Sequence, residues 1–112
     1  MLYKFKSKST GDLIMLQPNG QRMLEIIGKL NDNGHAAEKG IILPEQIAAA
    51  IAALTEAVVQ EEADQKAAKA KALARNEPPP RFEAVSLRQR ALPFIDMLRR
   101  CEEAGHAVVW GV

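Results

Sequence analysis

Cys101 and His106 flank a turn between a helical and a strand-like segment, with Glu102 beside them. A thiol, an imidazole and a carboxylate are the parts of a metal site or of a nucleophile with its base. A structural zinc site requires a full tetrahedral ligand set at recognisable spacing. The only other histidine, His35, lies in a distant polar segment. A catalytic cysteine requires a histidine base oriented by a third group. Cys101 instead falls on the apolar stripe of its helix, where a thiol behaves as a small hydrophobe. The expectation is therefore no catalytic residue, no metal site and no cofactor, and a protein that is not an enzyme.

Arg88, Arg90, Arg99 and Arg100 form the densest basic set. At about 100° per residue, Arg88 and Arg99 fall within about 20° of each other on a helix, with Arg100 about 100° further round. With Arg81 nearby they make a candidate anion-binding face. Against this stands a plain solvated surface, partly neutralised by Glu102 and Glu103. No aromatic side chain lies between these arginines for base stacking. Asp12, Asp96 and the Glu56/Glu61/Glu62/Asp64 group are the other charged candidates. Acid–base chemistry would need two of them held together in a cleft. Gly20, after Pro18 and Asn19, opens a short helix on which a phosphate could rest. Pro78-Pro79-Pro80 reads as a helix stop and stiff connector more readily than as a recognition peptide.

Residues 2–7 alternate, Tyr3 and Phe5 against Lys4 and Lys6, which is the period of a half-buried strand. Leu13-Ile14-Met15-Leu16 is an apolar run short enough for a second strand over 12–16, joined to the first by a polar turn at Gly11. Gln17 to Gly20 has turn chemistry. Met23, Ile26, Ile27 and Leu30 then mark one face of a helix over about 20–29. Residues 31–40 form a polar loop. Pro44 suits the first turn of a long helix over 44–75. Glu62 precedes Lys66 by one helical turn, and acids precede bases along the segment, both of which favour the helix. Ser86 and Gln89 fit a capping box for a helix over 86–104. Its stripe is Leu87, Ala91, Phe94, Ile95, Leu98 and Cys101. Pro93 is expected to kink it or to start a second helix. Gly105 is placed for a left-handed cap, and 107–111 reads as a closing strand that Trp110 anchors to the core.

Ile47, Ile51, Leu54 and Val58 repeat at the spacing of a coiled-coil seam. The default is that this seam packs on its own domain. The sharper alternative is that it receives a second copy or a partner helix. A helix of about 30 residues spans roughly 45 Å, more than a domain of this size is wide. Its Ala/Lys/Glu second half is expected to project or fray.

The chain has 112 residues, 47% of them apolar and 26% charged, with a net charge of +1. This suits one domain over 1–112, with 76–85 as a Pro-rich connector, and expected to be complete. The near-neutral charge gives no general pull toward nucleic acid or anionic membrane. A single cysteine suits a reducing compartment. There is no signal-like leader and no apolar run near the roughly 20 residues that cross a bilayer. A cytoplasmic location is expected, with no membrane partner.

Several stretches together resemble a small bacterial family described as a domain of unknown function, number eighteen-forty. They are Met1–Lys6, Gly11–Gly28, Lys39-Gly40-Ile41-Ile42 and Ser86–Val112. The most distinctive pieces are Pro18-Asn19-Gly20, Ser86-Leu87-Arg88-Gln89-Arg90-Ala91 and Val109-Trp110-Gly111-Val112. The resemblance implies a small cytoplasmic proteobacterial protein and carries over no activity, cofactor or catalytic residue.

The fold expected is α+β: a three-stranded, mostly antiparallel sheet packed on one face by about three helices, one of them long. The function expected is a non-enzymatic interaction or regulatory module. It would self-associate or bind another protein through helix 44–75, using Ile47, Ile51, Leu54 and Val58. The alternative is an anion or nucleic-acid binder using Arg88, Arg90, Arg99 and Arg100.

Overall fold

A computed structural model describes residues 2–82 and 85–112. Among these residues, four strands and three helices follow in the order β1 (Leu2–Lys6), β2 (Leu13–Leu16), α1 (Gln17–Ile26), β3 (Gly40–Ile42), α2 (Pro44–Ala74), α3 (Leu87–Ala104) and β4 (Val108–Trp110). The sheet runs β2-β1-β4-β3. Every pairing is antiparallel, with Tyr3 opposite Met15, Phe5 opposite Trp110 and Ile42 opposite Val108. The fold is α+β as expected, but the sheet has four strands instead of three. The added strand, β3, is too short to show periodicity. Gly40-Ile41-Ile42 becomes a strand because β4 offers it an open edge.

Alternation sorts the sheet into two faces. Tyr3, Phe5, Met15, Ile42, Val108 and Trp110 are buried on one of them. The three helices pack on that side, and the buried side chains merge into a single core. Phe5 sits at its centre, with Phe94 at 4.6 Å and Trp110 at 5.9 Å between ring centroids. Trp110 donates its indole N–H to the Ala37 carbonyl at 3.0 Å, so the ring is buried without stranding its polar atom.

α1 begins directly after β2, earlier than the spacing predicts. Pro18 lies in its first turn, where a missing N–H costs nothing. Gly20 is inside the helix, not at its mouth. A Cβ there would lie 2.6 Å from the Tyr3 ring, so the glycine allows the helix to approach β1. The position therefore serves packing and is not the helix mouth that the sequence suggested. The buried face is Gly20, Met23 and Leu24, while Leu30 is exposed.

α2 is one unbroken helix of 31 residues. Its second half projects from the body, and the molecule measures 52 × 29 × 23 Å with a radius of gyration of 16.0 Å. A compact chain of this length would have a radius near 13 Å. After the helix the chain turns back along it. Glu77 N–H bonds the Ala72 carbonyl at 2.9 Å, and Lys69 lies over the Phe82 ring at 5.6 Å. Glu83 and Ala84, within the 76–85 connector, lie outside the described residues.

α3 starts as its sequence predicts. Ser86 Oγ accepts from Gln89 N–H at 3.2 Å, and Gln89 Oε1 accepts from Ser86 N–H at 3.0 Å. The helix continues through the exposed Pro93 to Ala104 without a second start. Gly105 closes it in the left-handed region, at φ 70°. Each member of the predicted stripe is buried, and Met97 joins them.

Candidate interaction surface

The two residues best suited to chemistry are separated by the fold. Cys101 is enclosed in the core. The His106 Nδ1 instead shares a hydrogen bond with Ser9 Oγ, in the segment that follows β1. Only the backbone links the pair, through His106 N–H to the Cys101 carbonyl at 2.9 Å. Among the described residues no three metal-ligating side chains lie together.

The arginine set is not delivered as one face. Arg88 crosses to α2 and grips Glu62 with two hydrogen bonds, at 2.8 and 2.9 Å. That bonding holds the Glu62 carboxyl below its usual range and raises the Arg88 guanidinium above its own. Arg90 is half-buried, with a buried Nε that has no partner. Arg99 and Arg100 are exposed. Arg99 shares a small hollow with Arg88, Thr55 and Leu92, whereas Arg100 lines a different one with Asp12 and Asp96. The turn of α3 thus keeps Arg88 and Arg99 together, as the spacing predicts, and sets Arg90 and Arg100 apart from them.

The Ile47/Ile51/Leu54/Val58 seam is occupied by its own chain. Ile47, Leu54 and Val58 are buried and Ile51 packs against the same core. The expectation that this seam receives a partner is corrected accordingly. Its apolar side chains cover the core formed with α3, the larger burial available to them. The helix is also tied to α3 and α1 beyond the seam. Glu61 Oε2 accepts from Leu87 N–H at 2.9 Å, and Arg22 lies 3.5 Å from the Glu61 carboxylate.

On the opposite side of α2 runs a second seam. Ala49, Ala52, Glu56, Val59, Ala63, Lys66, Ala70 and Leu73 alternate at three- and four-residue steps. All of them are exposed, Val59 at 56% and Leu73 at 80%. At about 100° per residue their mean direction is opposite to that of Leu54, Glu61 and Ala72. Sequence reading missed this row because alanines resemble spacers and single charges resemble a solvated face. The signal was present in the unbroken heptad spacing.

The uncovered face of the sheet is the other feature that only the tertiary structure reveals. Leu2, Ile14, Leu16 and Ile41 are exposed there, with Lys4 among them. At its end lies an open cleft of about 680 Å³ lined by Lys6, Lys8, Asp12, His106 and Val109, among others. The lysines and the imidazole could meet an anion, although Asp12 lies in the same wall.

An open four-stranded sheet backed by helices, one of which extends as an arm, defines a small α+β protein. The chain belongs to the family described as Domain of unknown function (DUF1840), whose model matches residues 1–110. No curated protein and no solved structure matches it. No helix of the described residues is long and apolar enough to cross a membrane.

Proposed function

We propose that the protein is a non-enzymatic interaction module whose working surface is the solvent side of α2. One observation carries this reading. The helix runs far beyond the body that its buried seam covers, and it keeps a complete second seam, with Val59 and Leu73, in solvent. An alanine-rich helix gains little by ordering itself alone. A helix–helix contact on that seam would supply the burial that the arm lacks. The separation of Cys101 from His106 supports a role without covalent chemistry.

The reading is tested with Val59→Glu/Leu73→Glu. Both side chains stand in solvent, so at concentrations where neither protein associates the double variant should unfold within about 1 kcal/mol of wild type. Light scattering and binding assays should then show an association, to itself or to another protein, that wild type makes and the variant loses. Identical association behaviour in the two proteins would refute the proposal.

A further inference from the structure

We infer that the occupant of the exposed α2 seam is a second copy of the chain, laid antiparallel about a two-fold axis at Glu61. This rests on the reading that α2 is the working surface, and it names the partner and the geometry. In an antiparallel helix pair, each layer joins an a position of one helix to a d position of the other. Here Ala49, Glu56, Ala63 and Ala70 take one class, and Ala52, Val59, Lys66 and Leu73 the other.

Placing the axis at Glu61 pairs the two classes throughout. Leu73 of one copy meets Ala49 of the other, and Val59 meets Ala63, so each large side chain faces a small one. Ala52 meets Ala70, which lets the axes approach to about 8 Å, the near end of the usual range. Glu56 meets Lys66, and the symmetry makes that ion pair twice. Every contact occurs in both directions, as an isologous interface requires. A parallel, in-register pair would instead set Glu56 against Glu56 and Lys66 against Lys66, which disfavours it.

The local structure fits this contact. The seam is exposed from Ala49 to Leu73, the core residues Ile47, Leu54 and Val58 lie on the far side of the helix, and α3 packs between the two on the Thr55/Glu62 flank. A heptad row drifts by about 20° per repeat on a straight helix, which a left-handed crossing near 20° absorbs. Gln60 and Glu62 flank the axis. Glu62 would approach its own symmetry mate, and it already carries Arg88 as counter-ion.

The test is a charge swap followed by light scattering over a concentration series. Wild type should form a dimer. Glu56→Lys and Lys66→Glu alone should each weaken it roughly tenfold or more, since each sets like charges together. The double swap Glu56→Lys/Lys66→Glu should restore it to within about threefold. All three changes lie on the exposed helix face, and circular dichroism checks that each variant is folded. A dimer indifferent to both single reversals, or a double swap that stays weak, overturns the pairing but leaves the interaction reading standing. A wild-type chain that is monomeric at millimolar concentration also overturns it. The interaction reading then survives only if Val59→Glu/Leu73→Glu loses binding to another protein.

Discussion

Trp110 shows how one side chain closes this fold. It is the largest residue in the core, it packs against Phe5, and its N–H is satisfied by Ala37. Removing the ring leaves a cavity bounded by the sheet and the Ala37 segment, and also strands the Ala37 carbonyl. Trp110→Ala should therefore cost about 3–5 kcal/mol in urea unfolding followed by circular dichroism. A loss below about 1 kcal/mol would mean that the core closes over the gap far better than a packed interior usually does. At the same scale, Cys101 is enclosed by core side chains, where a thiol packs as a small hydrophobe.

At the scale of elements, α2 and α3 are joined outside the core by the Glu62–Arg88 pair. Both side chains are exposed, so the pair is a tether of small energy. Its sign with pH is nevertheless defined. The hydrogen bond from Arg88 holds the Glu62 carboxyl below its ordinary range. Whatever the tether contributes is present in full above the ordinary carboxylate range, and is lost as pH falls through the lowered value. A carbon-detected NMR titration should place the Glu62 inflection at lower pH in wild type than in Arg88→Gln. Coincident curves would show that the two groups do not meet in solution.

The molecule as a whole is a compact body with an arm, and both its shape and its uncovered seam bear on stability. If two arms pair as inferred, folding and association are linked, and the unfolding temperature rises with protein concentration. The expected result is a steady upward shift across a hundredfold dilution series, by differential scanning calorimetry. In Lys66→Glu the same shift should require about tenfold higher protein concentration or more. The open sheet face contributes less to this argument because its lysines would repel a second copy of the same face.

The sequence by itself determined the local frame. Alternation in residues 2–7 marked the first strand, because a half-buried sheet imposes a period of two, and the short apolar run at 13–16 marked the second. The Ser86/Gln89 box and Gly105 bounded α3, because helix ends leave backbone groups that only certain residues satisfy. Pro44 and the charge order marked α2 and its start, while the choice between projecting and fraying after Val59 was left to the structure, which keeps the helix unbroken to Ala74. Tertiary structure decided the rest. β3 exists only because β4 lies beside it, and a strand of that length carries no pattern of its own. Gly20 became a packing contact because Tyr3 lies across it. The seam at Ile47, Leu54 and Val58 and the row at Val59 and Leu73 have the same spacing, and spacing cannot say which one faces the core. The choice was made by α3 and the sheet, which bury the larger apolar row and leave the alanine row, with Glu56 and Lys66, in water.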